Sequence, residues 1–187
     1  MTSNISIKSV NMDDKTTLED MCDEAGIDCK DMCVLCGEGI INIRVGAIIL
    51  KDNKVLMVKN NKDNYYYSVG GRIKHGETAI QAIKREVKEE LGFDVEIDRL
   101  GFICESYFYG TIGDDVERLI YEPAFYFYMK VPENFDIQNK SFLEDDTPEY
   151  LEWVSLDTNE IIYPEFFKTE LKNPNKEIKY IIADERI

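Results

Sequence analysis

The apolar positions of this chain recur with two periods. From residue 31 onward, short runs rich in Val, Ile and Tyr are separated by turn residues. This pattern predicts strands near 31–36, 40–50, 54–59 and 65–69, with Lys51-Asp-Asn-Lys54 as the turn between the second and third. Two longer runs, 94–108 and 119–131, read as paired strands joined through Thr111-Ile-Gly-Asp-Asp115. An acidic loop is expected from Pro132 to Thr147, then a strand at 150–155, a helix at 164–172 and a last strand at 178–182. The period changes to that of a helix only between residues 78 and 91, a stretch without Gly or Pro. Gly76 supplies a turn before it, Glu77 and Thr78 stand at the cap and first turn, and Gly92 stands where a left-handed cap belongs.

Projected at about 100° per residue, Ile80, Ile83, Val87 and Leu91 form the stripe expected to be buried. Glu86, Glu89 and Glu90 share a neighbouring face, and the small Ala79 and Ala82 beside them would leave room for a ligand. Lys84 and Lys88 point elsewhere. Like charges at i and i+4 destabilise a helix by about 0.2–0.5 kcal/mol per pair, and converging carboxylates without a partner raise one another's pKa. A solvated acidic face is the plainer reading. An oxygen-rich cluster of this kind also suits Mg²⁺ or Mn²⁺.

The spacing around those acids narrows the choice. Gly71, five residues, Glu77, seven residues, then Arg85-Glu86-Val87-Lys88-Glu89-Glu90-Leu91-Gly92-Phe93 resembles the Nudix box at every specified position. Trp153-Val154 and Tyr163-Pro164-Glu165-Phe166-Phe167 resemble the closing strand and helix of bacterial members of that family, while Val69 stands where many relatives have Pro. The resemblance implies an α/β fold, a Nudix-type α/β/α sandwich with a mixed β-sheet between helices. It implies metal ligation by Glu86, Glu89, Glu90 and the Gly71 carbonyl, with Arg85 holding the glutamates and Glu77 supporting that network. Glu89, Arg85 and Glu77 would form the catalytic set, and the chemistry would be hydrolysis of a diphosphate linkage with Mg²⁺ (or Mn²⁺) as cofactor.

Composition sets outer limits. The chain has 187 residues, enough for one domain with a sizeable core, read here as an extension over 1–30 and a domain over 31–187. The extension is polar and acidic; Thr16 to Ala25 reads as a short helix with Cys22 on its inner face. No apolar run reaches the roughly 20 residues of a membrane span and no leader pattern opens the sequence, so a cytoplasmic location is expected. A net charge of −15 disfavours nucleic-acid binding, which needs a basic footprint, and with it an RNA-decapping role. It does not exclude a nucleotide. The expected partner is a small nucleoside diphosphate derivative, with no nucleic acid and no membrane, and a homodimer is left open.

The single histidine, His75, rules out a multi-histidine zinc enzyme and is expected to be an exposed loop residue. Cys22, Cys29, Cys33 and Cys36 precede the box as the zinc ribbon of NADH pyrophosphatases does. Their C-x6-C-x3-C-x2-C spacing is not one of paired knuckles, and in a strand Cys33 and Cys36 face opposite ways. Reduced thiols are expected, with structural zinc and a disulfide as the alternatives.

A substrate pocket must be built outside the box. Candidate contacts are Arg44 and Lys59 for a phosphate, Tyr67 and Tyr126 as rings for a base, and Glu122 as an extra ligand or base, each weighed against an ordinary core or solvent-facing role. Glu144, Asp145 and Asp146 are further candidates for a general base. The expected function is Mg²⁺-dependent hydrolysis of a nucleoside diphosphate linked to another moiety. The alternatives are a non-catalytic nucleotide- or nucleotide-sugar-binding regulator of the same fold and an isopentenyl diphosphate isomerase, for which Cys104 offers weak support.

Overall fold

The computed structural model describes residues 30–112, 116–132, 135, 140–142, 148–174 and 176–186. The helix expected at 16–25, Cys22, Cys29 and the acids Glu144 to Asp146 lie outside these residues.

The strands divide into two sheets. In one, β1 (Cys33–Cys36) pairs with β2 (Gly39–Asn42), and β2 and β3 (Arg44–Ile48) both run parallel to β9 (Arg118–Lys130). β7 (Gly70–Arg72) adds to β3, β8 (Glu96–Gly110) pairs with β9, and β13 (Lys179–Asp184) lies parallel to β8. The other sheet holds β10 (Lys140–Phe142), β11 (Pro148–Ser155), β5 (Lys54–Asn60), β6 (Tyr65–Ser68) and β12 (Ile161–Tyr163), with β4 (Leu50–Lys51) on β5. Helix α1 (Ala79–Leu91) and the short α2 (Phe167–Glu170) complete the fold.

Alternation along the central strands sorts the apolar residues into two cores. Val45, Ala47 and Ile49 of the β3 segment, Leu56 and Val58 of β5 and Phe127 and Met129 of β9 pack with Ala82, Ile83, Val87 and Leu91 of α1. Their neighbours Ile48, Val55, Met57, Tyr126 and Tyr128 face the other way and pack with Phe167 and Leu171. The two helices thus serve opposite sides of the strands, as the sandwich requires.

Several expectations need correcting. The single strand read over 40–50 is interrupted at Ile43 and Ile49, because Ile43 bonds to Met32 and Ile73, and β4 leaves for the other sheet. The acidic loop contains β10, and the 164–172 helix narrows to four residues preceded by β12. Ile80 is 53% exposed, whereas Ala82 is fully buried. Ala82 is therefore core and leaves no space for a ligand.

The ends of α1 are set locally. Thr78 is the N-cap at φ −83°, ψ 157°, and it exchanges side-chain and backbone hydrogen bonds with Gln81. Gly92 closes the helix at φ 83°, donating to the Lys88 carbonyl. Thr78→Ala is expected to cost about 1 kcal/mol, read as a lower urea midpoint at unchanged slope. Among the described residues no helix is long and apolar enough to cross a membrane.

Candidate functional site

The chain crosses from one sheet to the other at Val69, between β6 and β7, and this crossing delivers two glycines to the C-terminal half of α1, against Glu86 and Glu90. Gly70 has φ 134°, and a Cβ there would lie 2.3 Å from the Val45 carbonyl oxygen, so only Gly fits. At Gly71 a Cβ would lie 2.6 Å from the Glu86 carboxylate. The missing side chain is what lets that carboxylate rest against the strand.

Arg85 is the hub beside it. Its Nε and Nη2 donate to the two oxygens of Glu77 at 2.7 and 2.8 Å, its Nη1 to Glu86 at 2.6 Å and, more loosely, to Glu89 at 3.3 Å. Nη2 also donates to the Arg72 carbonyl at 3.0 Å, tying the helix to β7. Hydrogen bonding to Glu77, and then to Glu86, raises the Arg85 pKa despite burial; the same bond holds the Glu77 carboxyl below its usual range. Glu77 also accepts from the Lys74 amide at 3.1 Å, which fixes the loop of the box. Charge-assisted bonds of this kind are short and orienting.

Glu90 lies deeper. Its Oε1 accepts from the Gly70 amide at 2.8 Å, and its Oε2 is buried without a partner among the described residues. Burial, with Glu149 and Glu86 nearby, pushes its carboxyl well above the ordinary value. Burial also raises Glu86, against the opposing pull of Arg85.

Glu149 is the residue that the sequence reading missed. It is 8% exposed at the start of β11, opposite Asn60, and accepts from the Tyr67 hydroxyl. A signal existed: Glu149 shares strand parity with Leu151 and Trp153, which pack into the core, so a strand begun one residue earlier aims a carboxylate inward. Tyr67 thereby holds an acid, with its own ionisation suppressed first by burial and then by Glu149.

The other substrate candidates divide. Arg44 on β3 is opposite Arg72 in register. Burial disfavours its charge, but Glu122, and then Tyr126, Glu86 and Glu90, outweigh that and raise its pKa. Glu122 accepts from Asn42 at 2.7 Å. Lys59 leaves β5 on the face of Val55 and Met57, away from the glutamates, with its amine 4.5 Å from the centre of the Tyr66 ring. The Tyr126 ring is enclosed by Phe166 and Phe167, and a Cβ on Gly46 would lie 2.5 Å from it. No base can stack there, so the expectation of a stacking ring at Tyr126 is corrected to core. His75 is exposed, and Cys33 is buried while Cys36 is exposed, as a strand arranges them.

The donors suit a hard divalent cation: oxygen ligands, an orphaned carboxylate oxygen on Glu90 and a glycine cradle for Glu86. Among the described residues no three acids are already gathered tightly enough to hold an ion, since Glu86 and Glu89 lean on Arg85 and Glu90 on the Gly70 amide.

A family model described as the NUDIX domain matches residues 41–176. The chain is 37% identical over 75 residues to an 8-oxo-dGTP diphosphatase of Buchnera aphidicola subsp. Schizaphis graminum, covering 38% of this chain and 56% of that protein. It is 45% identical over 59 residues to a dihydroneopterin triphosphate diphosphatase of Escherichia coli K12, covering 30% and 39%. It is 36% identical over 61 residues to an ADP-ribose pyrophosphatase of Methanocaldococcus jannaschii, covering 31% and 36%. The chain thus spans between about a third and just over a half of these curated relatives. The crystal structure of a MutT protein from Bacillus halodurans shares the fold at TM-score 0.51 and 17% identity, covering 77% of this chain and 91% of that one.

Proposed function

The chain belongs to the Nudix family, and from that premise we propose that it hydrolyses the diphosphate linkage of a nucleoside diphosphate joined to another moiety. The observation that supports this most is the surplus of buried carboxylates. Glu86, Glu90 and Glu149 lie near one another, Arg85 and Arg44 oppose the charge of Glu86 and Arg44 that of Glu90, and among the described residues one oxygen of Glu90 has no partner. Such a surplus is costly unless a cation joins it.

Glu86, Glu89, Glu90 and the Gly71 carbonyl would hold a divalent ion, Mg²⁺ or Mn²⁺, which when bound supplies charge neutralisation and a more acidic water. The chain's own groups do the rest. Arg85 and Glu77 fix the carboxylates relative to β7. Arg44 meets a phosphate oxygen. Glu149, anchored by Tyr67 and outside the box, accepts the proton of the attacking water. That water forms a bond to one phosphorus as the bridging P–O bond breaks, leaving a monophosphate on each side of the cut.

The test is a panel of nucleoside triphosphates, nucleotide sugars, ADP-ribose and dinucleoside polyphosphates, incubated with Mg²⁺ or Mn²⁺ and followed by phosphorus NMR. Cleavage of at least one member into products split at the diphosphate, abolished by a chelator and restored by the metal, is expected. Tight binding of a member that stays intact throughout would mean a regulator instead.

A further inference from the structure

β13 is the outermost strand of its sheet, and among the described residues nothing pairs with its far side. Which of its backbone groups face outward can be worked out. Asp184 is the register partner of Tyr107, and the Glu185 amide donates to the Tyr107 carbonyl at 2.8 Å. In a parallel ladder successive residues address alternate neighbours. Residues 179, 181 and 183 therefore bond to β8, and the N–H and C=O groups of Tyr180, Ile182 and Asp184 point away from it.

The side chains make this edge apolar. Tyr180 and Ile182 leave the same face, 58% and 62% exposed, and no Pro interrupts the strand. Its two charges are already matched within the chain: Lys179 pairs with Glu170, and Asp184 with Arg186 at 2.5 Å. In a chain of net charge −15 this is a neutral stretch that an equally acidic copy can approach without repulsion. Open apolar edges of this kind are templates for strand pairing.

We propose that β13 pairs antiparallel with β13 of a second copy of this chain, about a two-fold axis at Ile181. In that register Tyr180 lies opposite the partner's Ile182, each exchanging outward backbone hydrogen bonds with the other. Ile181 lies opposite the partner's Ile181, and Lys179 opposite the partner's Ala183. Within β13 no like charges meet, and the aromatic pair with a β-branched residue is a favourable cross-strand match. An axis one residue later would set Tyr180 against the partner's Asp184. The contact is self-complementary, as a closed two-fold interface must be, and it joins two sheets into one.

Sedimentation velocity of the full chain at micromolar concentration tests this. The wild type is expected at twice the monomer mass. The double variant Tyr180→Lys, Ile182→Lys brings lysines face to face and is expected to be monomeric. Ile182→Pro removes only an outward amide, leaves the bonds to β8 in place, and is expected to weaken association at least about tenfold, the loss of about 1.4 kcal/mol. Thermal unfolding of each variant at the wild-type temperature shows that β13 is still docked. A monomeric wild type overturns the proposal, whether the edge is covered by another segment of the chain or by nothing. A dimer that persists in both variants overturns it as well, because the interface then lies elsewhere.

Discussion

Glu90→Gln is expected to lower kcat by at least about 10²-fold while leaving the protein as stable as the wild type or more so. The two effects have opposite origins. The amide oxygen of Gln can still accept from the Gly70 amide, so the hydrogen bond at 2.8 Å survives. What disappears is a charge that burial and the neighbouring Glu149 and Glu86 already disfavour. Removing it relieves the repulsion among the buried acids and would deprive a bound cation of its counter-charge. A residue with a purely structural role would lose stability and activity together. Steady-state kinetics beside a thermal melt without added metal separates the two. Near-wild-type turnover on the true substrate would sink the assignment of Glu90 as a ligand.

Phe167→Ala is expected to destabilise the fold by about 3–5 kcal/mol, a large share of the 5–15 kcal/mol that holds a typical domain together. Phe167 is fully buried, with its ring 5.4 Å from Tyr126 and 5.2 Å from Phe166. It comes from a helix of only four residues and, with Ile162 and Leu171, ties that segment to the second core. Urea denaturation measures the loss, and a change under about 1 kcal/mol would show that the site collapses around the void and that Phe167 is no anchor.

The parts of this fold that were readable in advance are those whose determinants lie close together in the chain. Thr78, Gln81 and Gly92 bound α1 through bonds within one turn, and the box residues meet because a helix and a glycine turn bring them together. Ile80 was misjudged because helical periodicity gives the width of a stripe but not its centre; packing of α1 on β3 and β7 turned Ala82 inward instead. The division into two sheets was not readable, because alternation shows that a strand has two faces and not which strand lies beside it. β12 and β10 were missed for the same reason: three residues each, they are strands by virtue of β6 and β11. The site was legible where it is sequential and hidden where it is not. Arg85, Glu86 and Glu90 stand in one motif, whereas Glu149 approaches from a strand 59 positions after Glu90. Lys59 is a candidate phosphate contact by its charge, but its parity with Val55 and Met57 places it on the other face.

The crossing at Val69 has a mechanical consequence. The Gly71 carbonyl belongs to one hydrogen-bonded ladder and Glu149 to the other, and α1 contributes its acids between them. The site is therefore a seam, and its geometry exists only while both ladders are docked. Anything that grips acids on both sides acts as a clasp across that seam and stabilises the whole domain in proportion to its affinity. Partial opening of either ladder would dissolve the constellation before any single strand had melted, so the chemistry is coupled to the integrity of the entire fold.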